Sequence, residues 1–102
     1  MKRQRQQPDD RRPTILSAAI TLARQDGYTR ISRDSIAAAA GCSPGLVSHY
    51  FNTMVQLRRA IMGEALRVRC PILIAQGLVA RDSRAMGADD ELRRAAGDVL
   101  CT

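Results

Sequence analysis

The stretch Arg33–Phe51, RDSIAAAAGCSPGLVSHYF, decides how this chain is read. Ser32 stands just before it and suits a helix N-cap, its hydroxyl placed for a free amide of the first turn. Ile36, Ala37 and Ala40 fall at helical spacing and give a short helix over 33–40 one apolar side. Gly41 stops that helix. Ser43 caps the next one, and Pro44 takes its first position, where no backbone donor is needed. Counted from Arg33, Ala37 is fifth, Gly41 ninth and Val47 fifteenth. Each place has a steric demand. Ala37 lies where two helices cross and must be small. Gly41 occupies a tight turn where a positive φ is easy only for glycine. Val47 must plug the core from the second helix. Two short helices meeting steeply across such a turn form a helix-turn-helix.

A wheel at ~100° per residue divides the second helix, residues 44–51, into two sides. Val47, Tyr50 and Phe51 cluster on one, with Leu46 at its margin. Pro44, Gly45, Ser48 and His49 cluster on the other, which is small and polar. Gly45 leaves room for a close approach of another backbone. Ser48 and His49 can bond to base edges or phosphates, and a helix N-terminus favours a phosphate.

Upstream, the spacing predicts a first helix over Pro13–Gln25. Ile15, Ala18, Ala19, Leu22 and Ala23 form its stripe, and Gly27 caps its end. Residues 1–12, MKRQRQQPDDRR, read as a basic flexible arm. Its five basic residues suit a phosphate backbone or a plain disordered tail, and the sequence leaves both open. With the first helix, residues 13–53 make one three-helix domain. Downstream, residues 54–102 form a helical connector and dimerisation region. Met54, Leu57, Ile61, Ala65 and Val68 line a long fourth helix over 54–69. Pro71 disfavours helix at Cys70 and breaks it there. A fifth helix follows from Pro71, then a loop at RDSRAMG. A final helix in DDELRRAAGDVLC has acids at its positive end and Leu92, Ala96 and Val99 on one side. No strand is predicted, so the fold class is all-α.

The formal charge is +6, and its distribution is uneven. Residues 1–69 hold twelve Lys/Arg against five Asp/Glu, and residues 70–102 hold four against five. The first two-thirds is therefore the part suited to a polyanion. Cys42, Cys70 and Cys101 are odd in number and far apart, which fits reduced thiols in a cytoplasm. No signal peptide is evident, and no apolar run approaches the ~20 residues that span a bilayer.

The stretch resembles the DNA-binding domain of the TetR family of bacterial repressors over residues 12–62. The resemblance rests on RPTILSAAITLARQDGYTRIS, on IAAAAGCSPGLVSHYF and on LRRAI. The matching positions are Ile15, Leu16, Ala18, Ala19, Gly27 and Tyr28, then Ile36, Ala37, Ala40, Gly41, Ser43, Gly45, Tyr50 and Phe51. It implies that residues 44–51 lie in the major groove of double-stranded DNA. Ser43, Pro44, Gly45, Leu46, Ser48, His49 and Tyr50 are then placed against DNA, and Ser32 and Arg33 near phosphates. It also implies a homodimer on a pseudo-palindromic operator, acting most often as a repressor and associated with the nucleoid when bound.

Two positions depart from the family pattern. Tyr is frequent where this chain has Ser48, and a phosphate-binding Lys is common where it has Met54. Arg58, Arg59 or the basic arm are the candidates to compensate. Only 33 residues, 70–102, follow the fourth helix, and ligand pockets usually need several hundred Å³. A conventional small-molecule inducer is therefore not expected. The last helices either pair with a second chain as a four-helix bundle or pack on the fourth helix of their own chain.

Chemistry by Cys42 and His49 is disfavoured, because two ligands seven apart are not a zinc spacing. Cys42 sits where a small buried residue is expected, and a free thiol serves well as one. With one His, no phosphate-binding glycine loop and no paired carboxylates, an enzyme is not expected, and no cofactor or metal is predicted. Cys70 and Cys101 read as inert thiols, with a redox switch as the other reading. The competing function is an interaction module without DNA affinity that antagonises a larger regulator. Salt-dependent binding to a specific duplex separates the two, since only a DNA reader releases counterions.

Overall fold

The structure is a computed structural model that describes residues 8–101. Seven helices follow one another among them: α1 (Pro8–Asp26), α2 (Arg33–Ala40), α3 (Pro44–Phe51), α4 (Met54–Arg67), α5 (Pro71–Val79), α6 (Ser83–Met86) and α7 (Asp90–Cys101). The all-α class stands, and α2, α3 and α4 begin where their caps predict. Ser32, Ser43 and Thr53 each turn a side-chain oxygen onto an amide three residues on, at 3.0, 3.1 and 3.1 Å. Ser35 returns a hydroxyl to the Ser32 amide at 3.2 Å, which closes a capping box.

Two expectations need correction. α1 starts at Pro8 rather than Pro13, so residues 8–12 of the expected arm are helical; residues 1–7 of that arm lie outside the described residues. Pro8 takes the first helical position, where no backbone donor is needed. Pro13 then falls inside the helix. The second correction is RDSRAMG. It contains the turn α6, capped by the Asp82 carboxylate on the Arg84 amide at 2.9 Å.

The core runs continuously from the N-terminal helices to α7. α1 contributes Ile15, Ala19 and Ala23, α2 Ile36 and Ala37, and α3 Val47 and Phe51. α4 adds Leu57, Ile61, Met62 and Ala65, and α5 adds Leu73, Ile74 and Ala75. Val68 and Val99, expected on apolar stripes, are exposed. The chain breaks at Cys70, as Pro71 requires, after Arg69 adopts a left-handed φ of 56°. Arg69 ties this corner to the start of α7 through a two-pronged bond to Asp89 at 2.7 and 3.3 Å. Asp89 also accepts the Leu92 amide at 2.8 Å. These donors, the Arg69 guanidinium first, pull its carboxyl down to about 2.

Three hydrogen bonds hold the α1–α2 corner against the C-terminal helices. The Tyr28 amide donates to Gln76 Oε1 at 2.7 Å, and Gln76 Nε2 donates to the Ala23 carbonyl at 2.8 Å. The Tyr28 hydroxyl donates to Asp82 at 3.0 Å. Burial, with help from that carboxylate, pushes the phenol up to about 12. The α1–α4 unit is thus fixed to α5 and α6 by side chains about fifty residues distant, and its orientation is set by the fold.

Candidate nucleic-acid interface

The turn between α2 and α3 is built around Gly41, with φ 72° and ψ 37°. This left-handed conformation is easy only for glycine. It lets the Cys42 amide reach back to the Ala37 carbonyl at 3.0 Å. Cys42 is half-buried and packs against the core. The chain then leaves the turn at the angle that sends Val47 and Phe51 inward, at 1% and 3% exposure.

With those two anchors in place, the opposite side of α3 is directed outward. Ser43, Pro44, Gly45 and His49 are exposed, and Leu46, Ser48 and Tyr50 are half-buried. Leu46 and Tyr50 lean on the core, so they offer only part of their surface. The His49 and Tyr50 rings meet edge to face with centroids 5.0 Å apart. At the start of α2, Ser32 is exposed and Arg33 half-buried. The structure therefore gathers Ser43 to Tyr50 on one helix, while Ser32 and Arg33 stand apart from it at the N-terminus of α2.

Gly45 differs from Gly41 in what it requires. A Cβ built on Gly45 meets only Ser43 Oγ, at 3.8 Å, an ordinary contact. The protein's own packing does not call for a glycine there. The first turn of α3 is largely satisfied internally: Leu46 N is held by Ser43, and Pro44 has no N–H. Among the described residues the Gly45 amide has no acceptor in the protein.

The basic residues around this helix are not equivalent. Met54, where a cation was expected to be missing, is half-buried against the core. Arg58 is half-buried, and its Nε is enclosed without an acceptor among the described residues. Arg59 is exposed. Arg12, on the extended start of α1, lies over the Phe51 ring with its guanidinium carbon 4.7 Å from the centroid. This cation–π contact fixes a positive charge beside the end of α3. Sequence reasoning missed it because it placed Arg12 in the arm. The acids at positions 9 and 10 were the signal for an earlier helix start.

No group of three or more His, Cys, Asp or Glu side chains is placed to hold a metal ion among the described residues. No helix among them is long and apolar enough to cross a membrane.

Residues 15–61 match the family model for bacterial regulatory proteins of the tetR family. No curated protein and no solved structure matches the chain. The matched residues run from Ile15 on α1 to Ile61 on α4 and include the whole of the turn and α3 described above. Over residues 15–61, a little under half of its length, the chain is similar to the tetR family of bacterial regulatory proteins, whose matched domain is a DNA-binding one.

Proposed function

We propose that the protein is a homodimeric repressor that blocks a promoter by inserting α3 of each chain into successive major grooves. The grooves entered would be about 34 Å apart on a pseudo-palindromic operator. The observation that carries this is the polarity of α3: Val47 and Phe51 are sealed in the core while Ser43, Gly45 and His49 face out. In this reading Ser48 and His49 contact base edges. Ser43, Pro44, Leu46 and Tyr50 fit the groove wall and its phosphates, and the open Gly45 amide meets a backbone oxygen. Ser32 and Arg33 meet a neighbouring phosphate.

The dimer is proposed to form on the outer side of α5 and α7. Ile72, Val79, Val99 and Leu100 are exposed there and rim a groove of about 320 Å³ over Tyr28 and Gln76. Four large apolar side chains around one groove suit a second copy of the same helices, since large exposed apolar patches mark association surfaces. A partner chain seated there covers the groove, which is why a small-molecule inducer is not part of this proposal.

Selection of duplexes from a random pool, with light scattering of the complex, tests both parts. The reading expects two inverted half-sites, with centres one helical turn apart, and two chains per duplex. Recovery of no enriched sequence would overturn it.

A further inference from the structure

Three arginines from three different elements converge on one groove that the DNA-reading side of α3 does not use. Arg12 of α1, Arg59 of α4 and Arg84 of α6 all line an open groove of about 470 Å³ along α4. Leu16, Ala60 and Gly63 add apolar surface to its lining, and Gln56 a polar amide. Arg84 Nη1 lies 3.7 Å from where a Gly63 Cβ would be, an ordinary contact distance that sets the guanidinium beside α4. Glu64 is the acid in the groove, and its charge is already taken: both of its oxygens accept from Arg67, which holds its carboxyl below the usual range. Arg12, Arg59 and Arg84 form no ion pair among the described residues, where all four ion pairs involve other arginines. The groove thus presents three guanidinium groups from separate elements, none of them paired with an acid among the described residues, around a recess that can hold a small ion.

We infer that this groove is a phosphate-binding site. Like charges brought together repel, and an anion that bridges them removes that repulsion. Guanidinium groups match the oxygens of a phosphate in paired hydrogen bonds, and a phosphate, with more oxygens than a carboxylate, can be shared among three of them. The phosphate has two possible sources: the backbone of DNA flanking the half-site, or a free phosphorylated small molecule. Arg12 connects either source to α3, because the same guanidinium rests on Phe51. A phosphate drawn to Arg12 pulls on the contact that fixes the end of the recognition helix.

The test uses the full chain and three variants, Arg59→Gln, Arg84→Gln and Arg94→Gln. Arg94 is exposed on α7 outside the groove, so its variant loses the same charge elsewhere. Thermal melts first establish that all three fold. Pyrophosphate is then titrated into DNA-free protein by calorimetry. In parallel, each variant binds a minimal operator duplex and one extended by flanking base pairs. A free ligand predicts saturable pyrophosphate binding that weakens about five- to ten-fold in Arg59→Gln and Arg84→Gln and not in Arg94→Gln. A DNA source predicts that the same two variants lose affinity for the extended duplex only. If both groove variants behave like Arg94→Gln in both assays, the inference is wrong, whatever the operator affinity of α3 itself.

Discussion

Replacing Gly45 by Ala should strengthen the fold and weaken DNA binding, an opposition of signs that few other readings produce. Gly45 is the second residue of α3, and a Cβ there meets nothing closer than Ser43 Oγ at 3.8 Å. The substitution removes the conformational freedom of glycine from the unfolded chain at no steric cost to the native one. Ala is favoured over Gly inside helices by about 0.5–1 kcal/mol. For a chain of this size that raises Tm by about 2–8 °C. On DNA the added methyl stands between the α3 backbone and whatever the Gly45 amide faces. Loss of that one close contact should reduce operator affinity about ten-fold, the equivalent of about 1.4 kcal/mol. Gly41→Ala is the control with the reverse logic. Nothing lies within 4 Å of its Cβ, but φ is +72°, so backbone strain alone should destabilise the protein by about 1–2 kcal/mol. Calorimetric melts and fluorescence anisotropy with a labelled operator measure both quantities. If Gly45→Ala lowers Tm, the protein itself needs the glycine. If it leaves affinity unchanged, no partner approaches α3 there.

Gly77→Ala should be among the most damaging small changes, because its Cβ would sit 2.5 Å from Ala85 Cβ and 2.8 Å from Met62 Cε. Met62 can move, but Ala85 cannot without shifting α6, so a loss of about 1–3 kcal/mol is expected in urea unfolding. Tyr28→Phe removes the bond to Asp82 and should cost about 1.5–3 kcal/mol at pH 7, read from Tm. The phenol's folded value of about 12 lies above its ordinary 10.0. Its contribution is therefore complete below pH 10 and is lost as pH rises toward 12. Wild type should show that alkaline limb in pH-dependent melts, and Tyr28→Phe should lack it. His49→Ala leaves stability within about 0.5 kcal/mol of wild type, since the ring is exposed. Competition binding should show it losing about 1–3 kcal/mol of discrimination between operator and scrambled duplex.

The helix-turn-helix was legible because its constraints are local. A cap, a proline and a glycine in the left-handed region define α2 and α3 within nineteen residues, 33–51. The start of α1 was not, since Pro13 is the stronger local signal and the acids at 9 and 10 were read as part of a polar arm. α6 was missed because a single turn leaves no periodicity; its one clue was Asp82 as a cap. The Tyr28, Gln76 and Asp82 contacts join residues about fifty apart, and no spacing rule reaches that far. The same holds for the arginine groove, whose members are scattered over α1, α4 and α6 and meet only in the folded chain. Exposure of Val68 and Val99 shows the converse: helical stripes continue past the point where the chain has something to pack against them.

Backbone amide shifts of the isotope-labelled protein, recorded as the selected duplex is added, address the function of α3 most directly. The largest changes should fall on Ser43, Gly45, Ser48 and His49, with Val47 and Phe51 moving little. Changes confined to α5 and α7, with α3 silent, would contradict the assignment of α3 as the DNA-reading helix.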